Sequence, residues 1–280
     1  MRTRSAIFIG VLLLPAMLQA GSIPFSPHRG LVEVNVTLDG YINGSFGIDT
    51  GADGLYIDRE FAESHNLSLG PVSQSKRVAG VSGVAEASPV SLRSLRITDD
   101  ETVYNLSAVA VDIGALSKQP ESGHPDGLIG HDILRRFYVT VDYPSQRMEL
   151  HASEPDFIGE ESYEEIPFEM RGHLIIVNVT VNDDITVPMV FDYCASLSTI
   201  SPWLAGQIGY DPDEDLRQTL SSVSLTDEVF SENVQVAITD HSSLQGTVPG
   251  ARFEGILGAS FLYRFKMTVD YKRQKIYVHK

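Results

Sequence analysis

The sequence predicts an all-β chain of two homologous lobes with short helices. Three observations predict it: an internal repeat, strand-like alternation and paired turn signals. The repeat comes first. Gly127-Leu128-Ile129-Gly130, Leu134, Arg136-Phe137 and Thr140-Val141-Asp142-Tyr143 recur in order as Gly255-Ile256-Leu257-Gly258, Leu262, Arg264-Phe265 and Thr268-Val269-Asp270-Tyr271. Gln146 and His151 recur as Gln274 and His279. Near the start of each copy, Val34-Asn35-Val36-Thr37 recurs as Val177-Asn178-Val179-Thr180. At that second offset Asp49, Ile57 and Ala62 fall on Asp192, Ile200 and Ala205. Chance supplies one such match, not an ordered set.

The copies run over 31–151 and 173–279. They divide the chain into a leader at 1–20, a first lobe at 21–152, an acidic connector at 153–170 and a second lobe at 171–280. Each lobe reads as strands. Residues 31–38 nearly alternate apolar and polar, the period of a half-buried strand. Asp39-Gly40 and Asn43-Gly44 are hairpin-type turn dipeptides, and the second copy has its turn around Asp183-Asp184. A short helix is expected after each repeated Asp. One starts on the N-cap Asp58 and runs to about residue 65; the other starts on Ser201, with Pro202 at the first helical position. Each copy closes on a hairpin, 138–141 with 147–150 and 266–269 with 275–278.

Composition narrows the function classes. The chain has 21 basic and 37 acidic residues, a net charge of −16. Binding nucleic acid needs clustered Lys and Arg, and no such cluster is present. The single cysteine, Cys194, rules out an intramolecular disulfide, so the fold must rest on its core. The leader reads as an export signal. Arg2 and Arg4 precede an apolar run at 6–18, and Ala20-Gly21 are small residues suited to cleavage. A periplasmic or secreted protein is therefore expected; an uncleaved anchor or a buried strand is the other reading of the leader. The run is short for a membrane span, and no later segment is long and apolar enough for one.

The segment Ile48-Asp49-Thr50-Gly51-Ala52-Asp53 resembles the active-site turn of retropepsin-like aspartic peptidases. The apolar-apolar-Gly element that partners this turn in the family is matched by Leu128-Ile129-Gly130 and again by Ile256-Leu257-Gly258. With both elements in each copy, the resemblance covers nearly the whole chain after the leader. It implies a bilobal acid-protease-like fold of two β-barrel-like lobes, as in the single-chain pepsin-like members. Asp49 and Asp192 would face each other across a pseudo-two-fold axis and hold a water. One carboxylate would take its proton while the other, protonated, donates to the scissile carbonyl. Aspartic proteases are the standard case of two carboxyls too close for both to ionise. The resemblance further implies that Thr50 braces the lobes, that Gly51 and Ala52 shape the turn, and that a flap covers the cleft. The flap falls on Gly80, Val81, Ser82, Gly83 and Val84, inside a largely apolar stretch at 78–85. No metal or organic cofactor is implied.

The second copy departs from the pattern. It reads Asp192-Tyr193-Cys194-Ala195, with Tyr where Thr should brace the lobes and Cys where Gly should give room. Cys194 reads as a small buried hydrophobe, since a neighbouring carboxylate blunts a thiol nucleophile. The stretch 220–236 would correspond to the flap, but it has no Gly and carries Asp227, Glu228 and Glu232. His131 reads as a surface histidine and Trp203 as core. No zinc-peptidase motif, nucleophile elbow, phosphate loop or dinucleotide fingerprint occurs. The expected activity is endopeptidase cleavage of a polypeptide by a monomer whose two lobes pair within one chain. The rival is a non-catalytic peptide- or partner-binding protein on the same fold, which Tyr193 and Cys194 favour. A dimer pairing two Asp49 residues ranks behind both.

Overall fold

A computed structural model describes residues 21–27, 30–71, 76–80, 83–116, 123–158, 163–213 and 216–280. The leader at 1–20 lies outside them, as do Val81 and Ser82 of the flap.

After a short strand, β1 (Ser22–Pro24), the first lobe runs β2 (Glu33–Leu38), β3 (Ile42–Ile48), β4 (Leu55–Asp58), α1 (Arg59–Ser64), β5 (Lys76–Ala79), β6 (Val84–Arg96), β7 (Thr102–Val111), α2 (Ile113–Leu116), β8 (Gly127–Ile129) and α3 (His131–Leu134). The hairpin β9 (Tyr138–Asp142) and β10 (Arg147–His151) follows, then β11 (Tyr163–Pro167) and β12 (Glu169–Arg171) in the connector region. The second lobe runs β13 (Leu174–Val181), β14 (Ile185–Phe191), β15 (Ser198–Ile200), α4 (Pro202–Gln207), β16 (Arg217–Ser224), β17 (Phe230–Ile238), α5 (Ser242–Thr247), β18 (Gly255–Leu257), α6 (Ala259–Leu262), β19 (Lys266–Asp270) and β20 (Lys275–His279).

Each lobe is a closed six-stranded barrel. The first runs β2-β3-β8-β4-β7-β6 and closes where β6 pairs back on β2 through Thr37↔Arg96 and Leu38↔Leu95. The second repeats the order as β13-β14-β18-β15-β17-β16 and closes through Thr180↔Ser224 and Val181↔Val223. Even the strand directions match: β8 is parallel to β3 and antiparallel to β4, and β18 stands likewise to β14 and β15. Full closure leaves no open edge within either barrel. The alternation seen in the sequence is the inward face of β2, where Val34, Val36 and Leu38 are buried and Asn35 is exposed.

A third sheet joins the lobes in the order β1-β10-β9-β19-β20-β11. Its centre is the antiparallel pair β9–β19, where Thr140 opposes Thr268 and their hydroxyls lie 2.7 Å apart. One apolar core runs through both barrels and this sheet. The acidic connector region supplies its edge strand β11, with Ile166 and Phe168 buried.

Local signals hold with two corrections. Asp58 caps α1 by accepting the Glu60 and Phe61 N–H groups, and Ser201 caps α4 ahead of Pro202. The repeated Gln146 and Gln274 sit in matching left-handed turn positions, φ 54° and 53°. Asp39-Gly40 forms its turn, and the second copy turns over 182–184, around Asp183-Asp184 as expected. Asn43-Gly44 is no turn: it lies inside β3, where a Cβ on Gly44 would stand 3.0 Å from both the Phe46 and Phe61 rings. Trp203 is 54% exposed rather than core, because the short helix α4 spends its inward face on Leu204 and Ala205.

Candidate active site

Strand β3 delivers Asp49 and β14 delivers Asp192 to the same relative place in their barrels. The Asp49 N–H donates to the Ile129 carbonyl at 2.9 Å, and the Asp192 N–H donates to the Leu257 carbonyl at 3.0 Å. The apolar-apolar-Gly strands thus run directly behind the two turns. Their glycines are needed for contact: a Cβ on Gly130 would lie 2.5 Å from the Gly54 carbonyl oxygen, and one on Gly258 2.5 Å from that of Ala195. The residue after each glycine then ties the turn down, His131 N–H to the Ala52 carbonyl at 2.9 Å and Ala259 N–H to that of Ala195 at 2.8 Å.

The two carboxylates converge over Gly51. Asp49 accepts the Gly51 N–H at 2.9 Å, and Asp192 accepts the Cys194 N–H at 2.8 Å. A Cβ placed on Gly51 would stand 3.0 Å from Asp192 Oδ2 and 3.3 Å from Asp49 Oδ1. Any larger residue there would push between them. Burial raises both carboxyl pKa values, that of Asp192 to about 6. For Asp49 the neighbouring Asp192 charge adds to burial and carries it well above the carboxylate range. Two such groups titrate as a pair and share one proton over a range of pH. Chemically, that pair can take a proton with one oxygen while giving one from another.

Thr50 is fully buried at the lobe junction. Its hydroxyl donates to the Phe191 carbonyl at 2.9 Å and accepts the Tyr193 N–H at 3.1 Å. Tyr193 has no Oγ to return the bond. Its ring is fully buried beneath the turn rather than in the cleft, edge-on to Phe191 at 4.9 Å, with its hydroxyl 3.4 Å from the Met267 carbonyl.

Cys194 is not the plain buried hydrophobe expected from sequence. It is half-buried, and the Asp49 and Asp192 carboxylates lie within electrostatic reach of its thiol. Burial, reinforced by the Asp49 and Asp192 charges, pushes the thiol pKa up, so it stays protonated. Its volume is accommodated by Gly47, whose Cβ position is 3.1 Å from the sulfur. In the second copy Val190 stands where Gly47 stands in the first.

The stretch expected to form a flap is the β5–β6 hairpin, in which the Gly80 N–H donates to the Gly83 carbonyl at 2.8 Å. Val84 is exposed, and β5 lies alongside α5 of the second lobe. The stretch 220–236 is a correction: it forms the β16–β17 hairpin, the counterpart of β6–β7, because the second lobe passes from α4 to β16 with no strand equivalent to β5 among the described residues. His131 is also not a plain surface residue; its ring lies edge-on to Tyr271 at 5.3 Å.

Sequence reasoning gave no role to three residues around the turns. Glu33 is buried on β2, its Oε2 accepting the Ser45 hydroxyl at 3.0 Å. His173, at the start of the second lobe, is half-buried near Gly51, and burial lowers its pKa. Tyr143 belongs to the repeat, which was a usable signal; the other two carry none. Among the described residues no three His, Cys, Asp or Glu side chains are grouped to hold a metal ion.

No curated protein matches this sequence. A family model described as aspartyl protease matches residues 34–133 and 177–261, together well over half of the 280 residues. Those two segments span the two turns and the strands that cross behind them. The chain therefore belongs to the aspartyl protease family.

Proposed function

We propose that this chain is an aspartic endopeptidase that hydrolyses polypeptides with a water held between Asp49 and Asp192. The observation that carries this reading is the convergence of both carboxylates on the Gly51 Cβ position, at 3.0 and 3.3 Å. One aspartate takes a proton from the water as the other protonates the scissile carbonyl oxygen. Thr50 and Gly51 position the pair, Ala52 anchors the first turn, and residues 80–84 form the lid. Lids of this kind exclude water and complete a site. The burial of Tyr193 beneath the turn supports the reading, since a ring in the cleft would block the substrate. The enzyme acts as a monomer outside the cytoplasm, in the periplasm or the medium, after loss of residues 1–20.

A second reading, peptide binding without cleavage, draws on Cys194, whose side chain narrows the approach to the carboxylates. The two part in one experiment. The chain from residue 21 is tested for hydrolysis of an unfolded protein from acid to neutral pH, beside Asp49→Asn and Asp192→Asn. Loss of activity in both variants establishes the pair. Loss in Asp49→Asn alone points to two first lobes acting together. A folded wild-type chain inactive at every pH moves the assignment to binding.

A further inference from the structure

The repeated dipeptides Asp142-Tyr143 and Asp270-Tyr271 follow directly from the central strands β9 and β19, yet nothing described so far uses the two tyrosines. Both rings reach the opposite lobe. Tyr143 lies 6.2 Å from the Tyr193 ring on the second catalytic turn and edge-on to Phe25 at 5.6 Å. Tyr271 lies edge-on to His131, behind the first catalytic turn, and to Phe168 at 6.3 Å. The residues are only 7% and 9% exposed, and both hydroxyl oxygens are buried without a hydrogen-bond partner among the described residues.

A buried hydroxyl with no partner destabilises a fold, and phenylalanine would fill the same space without that penalty. Two repeat-related hydroxyls left this way call for a physical reason. Their surroundings supply one. Asp192, Cys194 and Tyr193 lie within electrostatic reach of Tyr143, and Asp49, Asp192, His131 and Tyr193 within that of Tyr271; Tyr56, with Asp53 beside it, acts on Asp49, Glu33 acts on Cys194, and His173 lies near Gly51. Of these, only His131 and His173 can become positive, and burial opposes it in both. Burial also keeps both phenols protonated, so each carries an O–H dipole within electrostatic reach of the aspartate pair.

We propose that Tyr143 and Tyr271 are positioning residues for the Asp49–Asp192 pair: their hydroxyl dipoles stabilise its negative charge from beneath and set the pH range over which it holds a single proton. The catalytic consequence rests on the endopeptidase reading; the electrostatic one does not. Tyr143→Phe, Tyr271→Phe and the double variant are compared with wild type in Tm from pH 4 to 8 and in the pH profile of hydrolysis. At pH 4, where the pair is protonated, the variants should melt at or above the wild-type temperature. As pH rises they should fall below it, and the activity profile should move up by at least about half a pH unit per hydroxyl. In an Asp49→Asn/Asp192→Asn background the pH-dependent Tm difference should vanish. A Tm offset that is the same at every pH, with the activity profile in place, would overturn the proposal. If no hydrolysis is found, the endopeptidase reading falls while the Tm comparison still decides the role of the hydroxyls.

Discussion

Thr50 grips the Asp192 turn at two points: it accepts the N–H of Tyr193 at 3.1 Å while donating to the carbonyl of Phe191 at 2.9 Å. One side chain of the first lobe therefore spans the residues on either side of Asp192. Thr50→Val keeps the shape but strands both of those buried groups. It should cost about 2–4 kcal/mol in urea unfolding, whereas Thr50→Ser should cost little. Equal stability of the Val and Ser variants would show that the bonds across the junction contribute nothing net.

The Tyr193 ring fills space that a threonine would leave empty. Tyr193→Thr should destabilise by about 3–5 kcal/mol through the cavity it opens beside Phe191. Tyr193→Phe should cost under about 1 kcal/mol, since the hydroxyl sits at a long 3.4 Å from its acceptor. Differential scanning calorimetry of the two variants checks the ranking. Restoring the family threonine at this position alone should thus harm the fold.

The aspartate pair should make the fold less stable as pH rises. Both carboxyls have folded-state pKa values above the ordinary 3.8, so the folded chain holds protons that the unfolded chain releases. That contribution is complete below about pH 4 and is lost as pH passes through the folded values, about 6 for Asp192. A rise from 3.8 to about 6 corresponds to about 3 kcal/mol for that one group. Urea titrations at pH 4.5 and 8 should show the loss, and Asp192→Asn should shrink it. An unchanged pH dependence in that variant would place the effect elsewhere.

Gly47 and Cys194 should behave as one unit. Gly47→Val would bring a side chain to within 3.1 Å of the sulfur and 3.0 Å of Leu128 Cδ2, at an expected cost of about 1–3 kcal/mol. Cys194→Gly in the same chain should restore much of that, giving a measurable coupling in a double-mutant cycle. Strict additivity would mean the two positions do not share the space.

The two-lobed β fold was legible because the repeat carried it: matched strands, turns and glycine elements fix the pairing order twice over. That Asp49 and Asp192 occupy matching places was legible from the repeat too, whereas Thr50 and the 78–85 hairpin have no counterpart in the second copy and were read from the resemblance of the first copy alone. What was missed lies where side chains from both lobes meet. Whether the Tyr193 ring enters the cleft or the core depends on what fills the space beneath it, and no local pattern encodes that. Cys194 is only half-buried, with carboxylates of both lobes within electrostatic reach of its thiol. Trp203 turned outward because a six-residue helix has only one face to bury. The Asn43-Gly44 turn signal was overridden by two phenylalanine rings that need the glycine as space.

The central pairing of β9 with β19 joins two halves of a single chain. In a two-fold dimer of identical chains, every substitution near the axis is made twice and must be compatible with its own image. Here it is made once. The first turn carries Thr50 and Gly51 while the second carries Tyr193 and Cys194, so neither Tyr193 nor Cys194 has to fit against its own image. The covalent link thus frees each half-site from self-complementarity, so that one lobe can keep the tight glycine turn while the other adjusts its charge and shape.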